Sequence, residues 1–279
     1  MHEEANTLQH LYNDPWLLAA RNAKLLGFTY SGAKMKLAHY IKPHMPPWGG
    51  IYCEPFAGLG NIFWKMALTS EYEEWQLNDI RTHIFFRALA THGHKVVVPA
   101  RSHEEFERQK AAFRLGDPAA ILLAPYFSFN GGFYGKGERK DKGSIGAASY
   151  EARLRMCHSI VTITQPTITS LDWKLVVADL GPDDFAYFDP PYAGCKVGSY
   201  RADDLKHEEL VEELLRAPYR WLLSEYEHPV YARLGRPFWR KEVQLRSTNF
   251  LDDGGKGRRV ECLWLSDRKV NYTPTNPGA

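Results

Sequence analysis

A surplus of charge of one sign is missing from this 279-residue chain: 35 Lys and Arg stand against 33 Asp and Glu, a formal net of +2. No global field gathers a polyanion, so any nucleic-acid contact must come from local patches. Cysteine is scarce. Cys53, Cys157, Cys195 and Cys262 form no C-x-x-C pair, which argues against a zinc ribbon or a disulfide scaffold and for buried thiols in a reducing compartment. No apolar run reaches the length of a membrane span, and Met1-His2-Glu3-Glu4 is not the basic start of a signal peptide. A cytoplasmic protein without a membrane partner is expected. His92 and His94 have no carboxylate or cysteine at a metal-ligand spacing, so they read as surface histidines and no metal is expected. Internal repeats and an evident linker are missing too.

What is present centres on Ala186-Tyr187-Phe188-Asp189-Pro190-Pro191-Tyr192. A short apolar strand stops at two prolines, which have no N–H and a fixed φ. Asp189 is left at the carboxyl edge of a sheet, where open α/β sheets bind ligands. A carboxylate, rigid proline carbonyls and an aromatic ring suit a flat, amino-bearing group. The length suits one large domain, or one domain with an insertion.

Residues 1–26 read as amphipathic helix broken at Asp14-Pro15. Ser31-Gly32-Ala33 is a small-residue turn that leads Lys34 into an apolar-periodic helix. There a cation is not favoured by the helix dipole, and it could grip a carboxylate or phosphate instead of being solvated. Ile51-Tyr52-Cys53 reads as a strand opening into Glu54-Pro55-Phe56-Ala57-Gly58-Leu59-Gly60-Asn61 and then a helix. Such a turn lets backbone amides approach a ligand, although G-x-G is not the full G-x-G-x-x-G. A second strand, Trp75-Gln76-Leu77-Asn78-Asp79, ends in an acid, Asp79, about 20 residues beyond the glycines, where a Rossmann-like fold places its ribose-binding acid. Glycine turn and spaced acid together point to an adenosine-bearing cofactor.

Helices are expected over 82–91 and 102–115, the second opened by the capping box Ser102-His103-Glu104-Glu105. From Pro125 the aromatics Tyr126, Phe127, Phe129, Phe133 and Tyr134 interleave with Asn130-Gly131-Gly132 and Gly135. A basic run follows, with Lys136, Arg139, Lys140 and Lys142, suited either to a phosphate chain or to plain solvation. Ser149 is expected to cap a helix to Ile160. A strand at Thr167–Thr169 leads to Asp172-Trp173 and a helix to Leu180. A loop over 193–204, a helix from His207 to Arg216, a strand at Trp221–Ser224 and a brief helix at Tyr231–Leu234 follow. A terminal hairpin over 238–245 and 259–265 is joined through Asp252 to Arg258, and the tail 272–279 reads as frayed.

In order and content these stretches resemble the Dam-like (D12 class, alpha group) adenine-N6 DNA methyltransferases: Tyr30-x-Gly-x-Lys34, Glu54-Pro-Phe-x-Gly58-x-Gly60, Asn78-Asp79, a variable middle, and Asp189-Pro-Pro-Tyr192. The resemblance spans roughly residues 28–265. It implies an α/β, Rossmann-like S-adenosylmethionine-dependent methyltransferase fold, with a mostly parallel sheet, a C-terminal antiparallel hairpin and an inserted target-recognition region. The expected division is a helical extension over 1–27, a catalytic domain over 28–99 and 163–270, target recognition over 100–162, and a flexible tail over 271–279.

Carried over by residue, the resemblance implies that Tyr30, Lys34, Glu54, Phe56, Gly58, Gly60, Asp79, Asp172 and Asp189 bind S-adenosylmethionine, the product being S-adenosylhomocysteine. Asp189, Pro190 and Tyr192 would act on the flipped adenine. Tyr126, Asn130, Tyr134, Lys136, Arg139, Lys140, Lys142, Lys256 and Arg258 would meet double-stranded DNA, which makes the protein nucleoid-associated. Arg236, Arg240 and Arg259 are further candidates for phosphate. Tyr30 and Ala33 depart from the family's usual Trp and Gly, and Trp173 from its Phe. RNA adenine or cytosine-N4 methylation, or a catalytically silent DNA-binding regulator, are the alternatives. A monomer or weak dimer is expected.

Overall fold

The computed structural model describes residues 26–30, 34, 37–135, 137–140, 145–194, 205–244 and 258–266, with only the backbone at 130 and 244. The expected helix over 1–26, except for Leu26, lies outside these residues. So do most of the loops expected over 193–204 and 252–258, and the whole tail.

In chain order the regular elements begin with α1 (Ala38–Ile41), β1 (Trp48–Glu54), α2 (Phe63–Met66) and β2 (Glu71–Asn78). Next come α3 (His83–His92), α4 (His103–Arg114), α5 (Pro118–Phe127) and α6 (Ala147–Thr164). The chain continues with β3 (Thr167–Thr169), α7 (Trp173–Val177), β4 (Phe185–Phe188), α8 (His207–Arg216), β5 (Arg220–Tyr226), β6 (Trp239–Gln244) and β7 (Arg258–Leu265).

The strands form one seven-stranded sheet in the order β3-β2-β1-β4-β5-β7-β6. Strands β3 through β5 are parallel, whereas β7 runs antiparallel to both β5 and β6. The protein is thus a mixed α/β, Rossmann-like fold whose antiparallel hairpin closes one side of the sheet. From β1 the chain winds outward to β2 and β3. It then returns to place β4 on the other side of β1. That reversal opens a crevice beyond the carboxyl ends of β1 and β4, flanked by Glu54 and Asp189.

Phe185 to Phe188 are all buried, as a central parallel strand covered on both faces requires. One face packs Phe28 against Trp64, Phe85 and Tyr150, with ring centroids 6.2, 4.8 and 5.8 Å away. The other packs Trp173, Leu210, Trp221 and Tyr231.

Two helices differ from the sequence expectation. Helix α5 is unexpected there because it is buried nearly all round and so carries no amphipathic period, and Pro125 lies inside it. Its start was marked, however, by Asp117, whose side chain accepts the Ala120 N–H at 3.0 Å, and by Pro118 at the first helical position. Helix α6 begins at Ala147 with Gly146 as its cap, so Ser149 lies inside the first turn. It runs on to Thr164 and stops at Gln165, which is left-handed at φ 44°.

Phe106, Leu122, Phe127 and Leu154 share the core cluster of Phe28 and Phe85.

Candidate active site

The glycine turn after β1 is tied down from within. Gly58 and Gly60 adopt φ of 54° and 66°, a region that side chains avoid. Ala57 N–H donates to the Asn78 carbonyl at 2.9 Å, and Gly60 N–H to Ala57 at 2.7 Å. Gly58 N–H donates to Asp79 Oδ2 at 3.0 Å. The amides of Ala57, Gly58 and Gly60 are therefore engaged within the turn.

Asp79 also accepts the N–H groups of Arg81 and Thr82 at its other oxygen, both at 2.8 Å, and Thr82 donates its hydroxyl to the Gly58 carbonyl. Three of about four acceptor positions on the Asp79 carboxylate are filled by backbone. Asn78 does similar work one residue earlier. Its amide donates to the carbonyls of Pro55 and Leu171 at 2.9 and 3.1 Å and accepts from the Thr169 hydroxyl and Leu171 N–H, both at 2.8 Å. One buried side chain thus fastens together the loops beyond β1, β2 and β3.

Glu54 ends β1 and is buried. Its carboxyl accepts the Tyr52 hydroxyl at 2.7 Å. Burial pushes its pKa up to about 8, partly offset by the bonds from Tyr52 and from the Phe63 backbone. Phe56 lies between Trp173 and Phe188, 6.1 and 6.4 Å from their ring centres.

Asp189 leaves β4 at the head of the crevice. The Lys34 ammonium is 2.9 Å from its Oδ1 and 3.7 Å from Glu261 Oε1, and stands 4.5 Å over the Tyr192 ring. Lys34 is 6% exposed, so this is a desolvated ion cluster and not a solvated lysine. Burial raises the Asp189 carboxyl to about 6 against the pull of Lys34. The Tyr192 hydroxyl donates to Glu261 at 3.0 Å. With its one proton given, it accepts from the Ser224 hydroxyl at 2.9 Å.

A second carboxylate, Glu225, is fully buried behind this cluster. It accepts the N–H groups of Ala193 at 3.2 Å and Tyr226 at 2.7 Å, and the Tyr231 hydroxyl at 3.0 Å. His207 Nδ1 reaches the Tyr231 oxygen at 2.6 Å. Burial lowers that imidazole to about 4, so it is neutral. The chain directly after Tyr192 and the start of α8 are thereby pinned to one residue.

Tyr30 stands beside the glycine turn, its ring edge-on to Phe133 at 6.2 Å. Its segment is fixed by Asn61, which exchanges two hydrogen bonds with the Phe28 backbone at 3.0 and 3.1 Å. Gly131, at φ 64°, abuts the same segment. A Cβ there would lie 1.9 Å from the Thr29 carbonyl oxygen. Asp172 is exposed and caps α7 through the Lys174 N–H at 2.9 Å.

Several residues expected at a nucleic-acid surface are elsewhere. Tyr126 is buried under the Arg101 guanidinium, 3.7 Å from its ring centre. Tyr134 is buried between Phe106 and Phe113 and donates its hydroxyl to the Ala120 carbonyl at 3.1 Å. Arg139 is buried as well, its N–H donating to the Phe127 carbonyl at 2.7 Å. The aromatics pack because the glycines between them let the chain fold back onto α5. Asn130 lies in a 3-10 turn. Lys140 is exposed, and so is Arg258, which pairs with Glu242 at 3.8 Å. Lys136, Lys142 and Lys256 lie outside the described residues.

Sequence reasoning missed Glu261, Ser224, Glu225 and Asn61. Nothing in their local pattern marks them; only strand register and the fold of the 28–30 segment bring them to this edge. Among the described residues no group of three or more His, Cys, Asp or Glu is placed to hold a metal. A cleft of about 330 Å³ at the opposite edge of the sheet is lined by Glu73, Glu74, Asp183 and Asp184. Asp184 there accepts the N–H groups of Ile51 and Gly181, a structural use.

No curated protein matches the chain. Among solved structures it is similar to one titled "Putative methyltransferase yhhF from Escherichia coli", at 12% identity over 82% of this chain and 84% of that one, with a TM-score of 0.29, too low to carry an argument. The family match supports methyl transfer: residues 30–109 match the family model of the D12 class N6 adenine-specific DNA methyltransferases.

Proposed function

We propose that the protein transfers a methyl group from S-adenosylmethionine to the N6 amino group of adenine in double-stranded DNA. The observation that carries this reading is the buried cluster at the end of β4, where Asp189 meets Lys34 at 2.9 Å beside a Tyr192 ring fixed through its hydroxyl.

The residues present suit the cofactor's chemistry. Its amino-acid end carries a carboxylate and an ammonium, and this edge offers a buried cation, Lys34, and a buried carboxyl, Glu54. Lys34 would hold the carboxylate. Glu54, now protonated at neutral pH, would ionise toward the ammonium. Asp79 has an acceptor position left for a ribose hydroxyl, and Tyr30, Phe56, Gly58 and Gly60 would wall the site, with Asp172 at its exposed rim. S-adenosylmethionine supplies an electrophilic methyl group on a sulfonium.

The N6 lone pair of adenine is delocalised into the ring and is a poor nucleophile. Asp189 accepts one N6–H and the Pro190 carbonyl the other, which turns the lone pair toward the methyl group. A charge-assisted hydrogen bond is among the stronger ones, and in-line displacement needs position more than a strong base. Tyr192 offers its ring to the base, which must leave the duplex to reach this geometry. Lys140 and Arg258, with the lysines at 136, 142 and 256, would contact phosphates.

The test is methyl transfer from labelled S-adenosylmethionine to mixed-sequence duplex DNA and, in parallel, to RNA, followed by base-resolved mapping. N6-methyladenine in a defined DNA context is expected. Label only in RNA, or only on cytosine, refutes the substrate.

A further inference from the structure

We infer that Glu261 is a positioning residue of the transfer step, holding the Tyr192 ring and the Lys34 ammonium in register with Asp189; this rests on the methyl-transfer reading above. In the β5–β7 ladder Glu261 stands directly opposite Tyr226, so the two side chains share a face. Ser224, two residues back on β5, shares that face too. All three converge on Tyr192. Its hydroxyl meets Glu261 at 3.0 Å and Ser224 at 2.9 Å, and its ring meets Tyr226 edge-on at 4.5 Å.

Glu261 is the charged member of that set, and it acts through a single atom. Oε1 takes the Tyr192 proton and faces Lys34 at 3.7 Å, while Lys34 reaches Asp189 at 2.9 Å. A shift of this oxygen therefore moves the ring and the ammonium together. Released from Glu261, the phenol proton needs another acceptor, and Asp189 is the other carboxylate held by Lys34 in the same cluster. A proton given to Asp189 fills the acceptor that the amine needs.

Ser224 does not replace this role. With Glu261 gone the phenol can donate to the Ser224 oxygen at 2.9 Å, but a hydroxyl brings no charge to face Lys34. Glu261→Gln keeps a carbonyl oxygen for Tyr192 and removes only the charge, so it separates ring positioning from pairing with Lys34.

The experiment compares wild type, Glu261→Ala, Glu261→Gln, Tyr192→Phe and the double variant Glu261→Ala/Tyr192→Phe, using labelled S-adenosylmethionine and mixed duplex DNA. Protein carrying [13Cζ]tyrosine, free of ligand, reports the Tyr192 hydrogen bond directly, with Tyr192→Phe assigning the resonance. Glu261→Ala should lower kcat on the order of 10²-fold, the loss that follows a misplacement of about 1 Å, and leave KM for DNA unchanged. Glu261→Gln should recover most of kcat. The double variant should be no slower than Tyr192→Phe, and the Tyr192 signal should move in Glu261→Ala and stay near its place in Glu261→Gln. Multiplicative losses in the double variant of an active enzyme, or an unmoved Tyr192 signal, overturn the inference alone. Wild type inert on both DNA and RNA overturns the methyl-transfer reading, and with it the role assigned to Glu261.

Discussion

Glu54→Gln should make the protein more stable at neutral pH, and by an amount that depends on pH in a specific way. In the folded chain the carboxyl is buried and protonates near pH 8, against an ordinary value of 4.5. The unfolded chain releases that proton at the ordinary value. Between the two values the folded state binds more protons than the unfolded state, so stability falls as pH rises. Below about pH 4.5 both states are protonated and nothing is lost. Each pH unit through the window costs about 1.4 kcal/mol, so roughly 3 kcal/mol is lost by pH 7 and roughly 4 kcal/mol by pH 8, where the loss levels off. Glutamine has no proton to lose and still accepts the Tyr52 hydroxyl. The two proteins should be similar in stability near pH 4.5 and diverge above it, the variant being the more stable. Urea unfolding followed by tryptophan fluorescence at pH 4.5, 6, 7 and 8 measures the difference. Curves that stay parallel across this range refute the burial argument. The same variant should bind S-adenosylhomocysteine more weakly if Glu54 ionises toward its ammonium, so stability and binding should move in opposite directions.

Three further outcomes are expected. Protonation of Asp189 near pH 6 removes the charge that strengthens its hydrogen bond to the amine, so single-turnover methyl transfer should fall as pH drops through 6 and be level above it; a flat profile from pH 5 to 8 contradicts the assignment. Gly131→Ala places a Cβ against the Thr29 carbonyl at a φ of 64°, and should lower the melting temperature by the equivalent of about 1–3 kcal/mol and weaken S-adenosylhomocysteine binding in calorimetry through displacement of Tyr30; unchanged values would show that the loop is not wedged there. Tyr126→Ala should cost about 3–5 kcal/mol of stability as a buried aromatic without reducing the salt dependence of DNA binding, whereas Lys140→Ala should reduce that slope and leave the melting temperature alone; the reverse pattern in fluorescence anisotropy and thermal scans would return Tyr126 to the surface.

Much of the crevice was legible because its residues sit at strand ends. Asp189 is marked by the prolines that stop β4, and Asp79 by its distance from the glycine turn. Apart from the resemblance, Lys34 was readable only as an oddly placed cation, since its partners Asp189 and Glu261 come from the end of β4 and from β7. The aromatic stretch after Pro125 misled for a physical reason. Alternation of aromatics with glycine describes a stacking surface and a folded-back core segment equally well, and Tyr126 and Tyr134 are the latter. Helix α5 hid behind its own burial. Glu225 and Asn61 were invisible because their use lies in backbone groups, those of Ala193, Tyr226 and Phe28, that no side-chain pattern reports.

The place of β7 between β5 and β6 has a consequence for the order in which the protein can be made. Strand β6 leaves the ribosome before β7, yet β7 is its neighbour in the sheet, and β5 waits for the same strand. Until residues 258–265 emerge, β5 presents an open hydrogen-bonding edge to the cell, a recognised route to aggregation. The strand that closes this edge also carries Glu261. A ribosome that stops short of β7 therefore releases a chain that is both sticky and without its ring-holding carboxylate, so that solubility and competence arrive with the same eight residues.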